Sequence, residues 1–256
     1  MSEIDRLLDV MALLRNPDGG CPWDRAQTYA TILPYTLEEA YEVADAIERG
    51  DREELKKELG DLLFQVVFYA QLASEEQVFN FNDVVLAITD KMIARHPHVF
   101  SDARYANQTE QQAAWEQIKA AERDSAPASV LDDVPRTLPA MMRAMKLQLK
   151  AARVGFDWPA VAPVLDKVRE ELTEIEDEMK TNDSTTRVAD EIGDLLFACV
   201  NLARHLHIEP ESALRTANHR FETRFRHIET QLAALGRNPE QASLAELDAL
   251  WEQAKG

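Results

Sequence analysis

The sequence predicts an all-α protein that contains one helical domain twice. The segment ELGDLLFQVVFYAQLA at 58–73 returns as EIGDLLFACVNLARHL at 191–206, 133 positions later. Apolar residues in both copies recur at the three- and four-residue spacing of an amphipathic helix, and no segment shows the alternation of a half-buried strand. The chain has only 8 glycines and is rich in alanine, leucine and glutamate, which also favours helix.

The repeat extends beyond this helix. Glu38 aligns with Glu170 upstream of it, and WEQIKAAE at 115–122 resembles WEQAKG at 251–256 near the end of each half. Two distant copies indicate a duplicated domain rather than a solenoid, which stacks many short repeats.

The composition changes between the two copies. The segment SAPASVLDDVPRTLPA is rich in serine, alanine, aspartate and proline and lacks a helical period, so we predict a linker there. We place an N-terminal domain at 1–122, the linker at 123–136 and a C-terminal domain at 137–256.

Within the first half, a helix is predicted from about Thr36, capped by Thr36 and Glu39, to Gly50. The following helix carries the predicted buried stripe. Its members are Leu55, Leu59, Leu62, Leu63, Val66, Val67 and Ala70. Loops of about four to seven residues would make the two helices antiparallel neighbours.

The second half repeats this arrangement, with a helix predicted from about Ala162 to Lys180 and a stop at Asn182. Its second helix has the equivalent stripe, which consists of Ile192, Leu195, Leu196, Cys199, Val200 and Ala203. Cys199 is therefore predicted to lie in the core, and Cys21 in a loop. Neither a disulfide framework nor a thiolate metal site is indicated.

The net charge of −18 argues against binding to nucleic acid polymers or anionic membranes, because their phosphates would be repelled. It is compatible with a small phosphorylated ligand whose charge is neutralised by a divalent cation. No apolar run is long enough to span a bilayer, so no membrane association is predicted. The N-terminus MSEIDRLLDV lacks the features of a secretory signal, and we expect a cytoplasmic protein.

Each half carries four acidic residues beside its apolar stripe. Residues three apart on a helix share a face, so each pair would project together towards the groove between the helices. The first-half acids are Glu39, Glu42, Glu58 and Asp61, and the second-half acids are Glu171, Glu174, Glu191 and Asp194. Two carboxylates about 5 Å apart repel by roughly 3 kcal/mol at an effective dielectric near 20.

Cations or protons must offset this repulsion. Oxygen ligands select hard ions, so Mg²⁺ is the expected cofactor, with Mn²⁺ as a substitute, and phosphate ester or anhydride chemistry is indicated. A single EExxE segment is usually a solvated helix face, but here the same four-acid layout occurs twice beside an apolar stripe. A di-iron bundle, the competing metal site, would need Glu-x-x-His segments. The third residue after Glu58, Glu171 or Glu191 is acidic instead, so a redox iron site is not indicated.

At these residues the sequence resembles the MazG family of nucleoside triphosphate pyrophosphohydrolases, all-α enzymes marked by EExxE followed by ExxD. The matching segments cover nearly the whole chain and resemble the long two-domain bacterial form. They are GGCPWDRAQT (19–28), YTLEEAYEV (35–43), ELGDLLFQVVFYAQ (58–71), RHPHVF (95–100) and NHRFETRF (218–225). The resemblance implies Mg²⁺-dependent hydrolysis of a nucleoside triphosphate to the monophosphate and pyrophosphate.

Carried onto this chain, the resemblance makes Glu171, Glu174, Glu191 and Asp194 the metal-binding and catalytic residues, with the first-half acids as their equivalents. It also implies a basic helix that contacts the phosphates. The expected substrate-binding residues are Lys119, Lys167, Arg169, Glu170, Asn218, Arg220, Arg224 and Trp251. For Arg220 and Arg224, the alternative role is a surface ion pair with Glu222 or Glu229.

The family uses the C-terminal half for catalysis, and we expect the same here, although both halves keep all four acids. A helical hairpin with one apolar stripe cannot close a core alone, so four-helix cores completed by homodimerisation are expected. Two alternatives to a broad-specificity enzyme remain. One is a non-catalytic nucleotide- or partner-binding module, and the other is a narrower dUTP, dCTP or phosphoribosyl-ATP pyrophosphatase.

Overall fold

The computed structural model describes residues 2–107, 110–111, 114–115, 117–118, 129–181 and 185–255. All regular structure within these ranges is helical, which confirms the all-α prediction. None of the described helices is both long enough and apolar enough to cross a bilayer. The chain divides into two compact units, Met1–Asp124 and Ser125–Gly256. Residues 123–128 of the predicted linker lie outside the described residues, so the exact domain bounds stay a prediction.

The first unit is a helical assembly built around one long hairpin. Its helices are α1 (Glu3–Leu14), α2 (Pro22–Ala26), α3 (Tyr29–Arg49), α4 (Arg52–Glu75), α5 (Phe81–Arg95) and α6 (Pro97–Phe100). The α3–α4 pair makes the main packing contact, and α1 packs on α4. Between α1 and α2 the chain turns tightly at Gly20, where a Cβ atom would lie only 2.5 Å from the Leu14 carbonyl oxygen.

The hairpin differs in two details from the sequence prediction. Helix α3 begins at Tyr29, not Thr36, because Thr28 caps it by accepting a hydrogen bond from the Thr31 amide. Thr36 lies inside the helix and donates its hydroxyl to the Ile32 carbonyl. The helix ends at Gly50 as predicted, in a left-handed conformation that suits glycine. Only Gly50 and Asp51 separate the two helices, a shorter loop than expected.

The buried face of α4 overlaps the predicted stripe only in part. Its buried cluster consists of Met11, Ile32, Val67, Phe68 and Leu72. Val67 and Ala70 are buried as expected. Leu59, Leu63 and Val66 are instead exposed, because α1 covers the neighbouring face of α4 and leaves this one uncovered.

The second unit repeats the plan. Its helices are α7 (Ala140–Arg153), α8 (Val161–Thr181), α9 (Thr185–His205), α10 (Pro210–Ala234) and α11 (Leu244–Gln253), with a 3₁₀ turn at Pro239–Gln241. Helices α8 and α9 form the hairpin, and α7 packs against α9 as α1 packs against α4. Helix α10 is continuous, as predicted, whereas the equivalent α5 stops before Pro97.

The predicted stripe of α9 is also only partly covered. Val200 is buried, but Ile192, Leu196 and Cys199 are exposed, so Cys199 is not a core residue in this chain. These three positions are equivalent in the repeat to Leu59, Leu63 and Val66 of α4. Both units therefore leave the same apolar helix face open. We call this surface the open face.

Candidate functional site

Three of the predicted acids converge in the second unit. Glu171 on α8 and Glu191 and Asp194 on α9 each offer a carboxylate oxygen, and these oxygens lie within 4.8 Å of one another. The i, i+3 spacing places Glu191 and Asp194 on one side of α9, and the α8–α9 hairpin brings Glu171 to meet them. Glu171 is only 4% exposed. A carboxylate this buried requires a compensating positive charge.

Part of this compensation comes from Lys167, one turn before Glu171. The Lys167 Nζ lies 2.8 Å from a Glu171 carboxylate oxygen and 2.9 Å from one of Glu170. Hydrogen bonds from Lys167 to Glu170 and Glu171 raise the pKa of Lys167 well above its usual value. Lys167 and Glu170, both predicted substrate-binding residues, are therefore placed at the edge of the acidic cluster.

Glu174 lies outside the tightest group but is electrostatically coupled to it. The pKa of Glu174 is raised, first by partial desolvation and then by the Glu171 charge. A raised pKa shows that the environment disfavours another negative charge when no cation is present.

The first unit has an equivalent cluster of Glu39, Glu58 and Asp61, whose oxygens also fall within 4.8 Å of one another. Desolvation and the neighbouring acids raise the pKa of Glu39, and Asp61 is the largest of the neighbouring charges. The pKa of Glu58 is raised as well, by desolvation and by Glu42. Both hairpins thus hold oxygen-only donor sets with excess negative charge, which fit a hard divalent cation such as Mg²⁺.

We expect Mg²⁺ to stabilise the protein more at neutral than at acidic pH. The raised pKa values of Glu39, Glu58 and Glu174 mean that the metal-free fold is favoured below their unfolded-state values near pH 4.5 and loses this advantage as pH rises through the folded-state values. A bound cation removes the repulsion that causes this loss. The melting temperature should rise by several degrees at pH 7.5 and by less than half as much at pH 5.

Calorimetry with KCl at matched ionic strength is the control for general salt screening. Equal melting-temperature increments at both pH values would contradict the assignment of the raised pKa values to a metal-binding cluster.

A cavity of about 320 Å³ opens next to the second-unit acids. Its lining is mostly apolar and comes from the loop before α8 and from both hairpin helices. The residues are Trp158, Val164, Lys167, Glu171, Asp194, Phe197, Ala198 and Asn201. Glu171 and Asp194 belong to both the cavity and the acidic cluster, so a ligand in the cavity would lie directly beside a bound cation.

An arginine at the end of α9 fixes one wall of this cavity. Arg204 donates hydrogen bonds to both carboxylate oxygens of Asp157, with its Nη1 2.9 Å from Oδ2. It also donates from Nε and Nη2 to Asn201 Oδ1, at 3.0 and 2.7 Å. The Arg204 guanidinium holds the pKa of Asp157 below its usual value, and His205 contributes in the same direction. This network anchors the loop that carries Trp158.

Sequence reasoning missed the cavity and its arginine. The available signal was a difference between the halves, since Ala198 and Asn201 align with Gln65 and Phe68. In the first unit both larger side chains are buried, and Phe68 belongs to the core cluster. The aligned positions of the first unit therefore carry larger side chains.

The remaining predicted substrate-binding residues are more dispersed. The Arg224 guanidinium stacks 5.5 Å from the ring centre of Trp251, which also contacts Phe221 at 5.2 Å. Asn218 and Arg220 lie exposed on the same helix, α10. Arg169 pairs with Asp166 at 2.7 Å. Lys119 lies outside the described residues.

The surface ion pair considered for the α10 arginines involves a different arginine. Glu222 pairs with Arg226, at 3.4 Å, and not with Arg220 or Arg224 among the pairs of the described residues. Helix α10 thus combines a solvent-exposed ion pair with an arginine that stacks on tryptophan.

The family model described as the MazG nucleotide pyrophosphohydrolase domain matches this chain twice, at 27–100 and 162–229. Each match contains one complete set of four acids. A nucleoside triphosphate pyrophosphohydrolase of Escherichia coli K12 is 54% identical over this whole chain and 98% of its own length. A Thermotoga maritima protein named nucleoside triphosphate pyrophosphohydrolase/pyrophosphatase MazG is 40% identical over 98% of this chain and 95% of its own length. The Bacillus subtilis protein YabN is 42% identical over 99% of this chain, which covers 52% of YabN.

Proposed function

Because the chain belongs to the MazG family of nucleotide pyrophosphohydrolases, we propose that it hydrolyses nucleoside triphosphates between the α and β phosphates. The products would be a nucleoside monophosphate and pyrophosphate. The observation that carries the proposal is the convergence of Glu171, Glu191 and Asp194 beside an open cavity. All three residues lie in the segment that matches the MazG nucleotide pyrophosphohydrolase domain.

We propose that Glu171, Glu191 and Asp194 hold Mg²⁺, with Mn²⁺ as a substitute, and that Glu174 assists them. A bound divalent cation would screen the polyphosphate charge and acidify a bound water. The carboxylate of Glu174 has a raised pKa, which makes it suited to accept the proton of the attacking water. No covalent protein nucleophile is required, since positioning and charge neutralisation are sufficient for phosphoryl transfer.

The C-terminal unit is proposed as the catalytic one. Two differences between the aligned hairpins support this choice. Lys167, which contacts Glu171, aligns with Tyr35 in the first unit. At the positions of Ala198 and Asn201, which line the cavity beside Glu171, the first unit has the larger residues Gln65 and Phe68. The first-unit acids would then serve assembly and metal-dependent stability.

The basic residues are proposed to contact the phosphates that project from the metal. Lys167 is the best placed, because it already lies 2.8 Å from a cluster carboxylate. Arg220, Arg224 and Asn218 would contact the outer phosphates from α10, with Trp251 supporting Arg224. Arg169, Glu170 and Lys119 keep their proposed roles as further substrate contacts.

We also propose that the protein is a homodimer. The open face of each unit exposes large apolar side chains on neighbouring turns, such as Ile192 and Leu196 at 45% and 49%. Contiguous exposed apolar surface of this kind marks interaction sites. A second copy would complete a four-helix core over this face.

Product analysis tests the activity. Incubation of ATP, GTP, CTP, UTP, dUTP and dCTP with the protein and Mg²⁺ should yield monophosphate and pyrophosphate, and EDTA should abolish the reaction. Diphosphate and orthophosphate as products would overturn the bond assignment. Binding without turnover would favour the regulatory-module alternative, and turnover of dUTP or dCTP alone would favour a narrower pyrophosphatase. We also propose that the enzyme accepts a broad range of nucleotides in the cytoplasm, without nucleic acid polymers or membranes as partners.

A further inference from the structure

The cavity beside the second-unit acids has the chemistry of a binding pocket for a flat ring. Trp158 and Phe197 supply aromatic walls that remain 41% and 45% exposed, and the buried Val164 and Ala198 form the apolar floor. Aromatic faces and small apolar residues favour stacked planar ligands. The charged lining residues are grouped together, because Lys167 contacts Glu171 and Asp194 belongs to the same acidic cluster.

One polar side chain stands among the apolar lining residues, and its orientation is fixed. Asn201 is 6% exposed, and its Oδ1 accepts two hydrogen bonds from Arg204. A guanidinium group can only donate, so the amide oxygen must face Arg204 and the amide nitrogen must face away. Among the hydrogen bonds of the described residues, Asn201 Nδ2 donates none.

The cavity and the acidic cluster are contiguous. Glu171 and Asp194 line both the cavity and the cluster, so phosphates at the cluster would leave the rest of the ligand beside Trp158 and Asn201. The first unit differs here, because the larger Phe68 and Gln65 stand at the positions of Asn201 and Ala198.

We propose that this cavity is the nucleobase subsite, and that Asn201 donates a hydrogen bond to a base carbonyl. This inference rests on the proposed pyrophosphohydrolase function and deepens it by naming a substrate preference. The recognised carbonyl is O4 of uracil or O6 of guanine, so UTP and GTP are preferred over CTP and ATP, which carry an amino group at that position. The expected preference is about tenfold in kcat/KM, the usual contribution of one hydrogen bond.

Filling the cavity tests its use by the base. Ala198→Gln introduces the residue that the first unit has at the aligned position, Gln65, which is buried in that unit. We compare UTP with ribose 5-triphosphate, which has the same phosphates and sugar but no base. The ratio of kcat/KM for UTP over ribose 5-triphosphate should fall by about 30-fold, the size of a steric misfit in an apolar pocket. Ala233→Gln, at an exposed position of α10, is the matched control.

The two failures are distinguishable. If the wild-type protein cleaves neither compound, the proposed function fails. If it cleaves both and the ratio does not change in Ala198→Gln, the subsite is overturned while the function stands. Circular dichroism and the melting temperature verify folding of the variant. Calorimetric titration with UMP in the presence of EDTA gives a second measurement, because the affinity for UMP should fall in Ala198→Gln together with the kcat/KM ratio.

Exchanging the polar group tests the role of Asn201. Asn201→Asp keeps an oxygen towards Arg204 and replaces the donor with a second acceptor. The UTP-to-CTP ratio of kcat/KM should therefore fall by at least tenfold, with CTP becoming the better substrate. Asn201→Ser, which shortens the side chain, should bring the ratio close to one. An unchanged ratio in folded Asn201→Asp overturns recognition by Asn201.

Discussion

Glu171→Gln should lower kcat by about a thousandfold, comparable to the loss of one pre-organised electrostatic group in other enzymes. The substitution keeps the shape of the side chain but removes the negative charge from the most buried member of the cluster. The neutral amide would then bind a divalent cation weakly, and Lys167 would lose one of its two carboxylate partners. Steady-state release of pyrophosphate measures the effect.

The chain itself contains the matched control. Glu39 occupies the equivalent position in the first-unit cluster, so Glu39→Gln makes the same chemical change in the other copy of the repeat. If the second unit is catalytic, this variant should retain kcat within about threefold of wild type, well under 1 kcal/mol in the barrier. Loss of turnover in Glu39→Gln, with activity kept in Glu171→Gln, would place catalysis in the first unit instead.

Leu196→Glu should convert the dimer to a monomer. Leu196 lies at the centre of the open face on α9 and is 49% exposed in the single chain. Burial of a leucine contributes about 1.5–3 kcal/mol, and a twofold interface contains the residue twice, so the dissociation constant should rise by about 10²–10⁴-fold. Sedimentation velocity over a concentration series measures this change.

Two comparison variants locate the interface. Leu63→Glu alters the equivalent position of the first unit, and Leu244→Glu alters an apolar residue of α11 that is 82% exposed and outside the open face. Leu244→Glu should leave the sedimentation coefficient unchanged. Dissociation by Leu63→Glu alone would place the interface on the first unit, and a monomeric wild-type protein would reject the dimer.

Local spacing was sufficient to predict the acidic clusters. Glu191 and Asp194 meet because three residues make nearly one helical turn, and the hairpin partner Glu171 follows from a short connection between two long amphipathic helices. The repeat in the sequence likewise predicted two such sites. These features depend on neighbours in the chain, which a single sequence displays directly.

Features that depend on distant contacts were not predictable in the same way. Exposure of Leu59, Leu196 and Cys199 is decided by which face α1 or α7 covers, and periodicity does not specify that choice. The Arg204–Asp157 contact joins residues 47 positions apart in an irregular loop and a helix terminus.

The start of α3 is a local feature that the sequence prediction nevertheless placed too late. Two residues, Thr28 and Thr36, both have side chains that can cap a helix, and the acidic residue three places after Thr36 favoured the later one. The structure uses Thr28, and Pro34 lies inside the helix without ending it. A choice between two competent caps depends on packing, because the earlier turns are retained only when they contact the rest of the unit.

The presence of an acidic cluster in each unit affects how metal content should be interpreted. Because both sets of oxygens lie within the same 4.8 Å limit, each chain offers two places for a divalent ion. Saturation in a titration would count clusters, and it would exceed the number of catalytic centres if one unit alone turns over substrate. Turnover normalised to bound magnesium would then understate the rate per working centre by half.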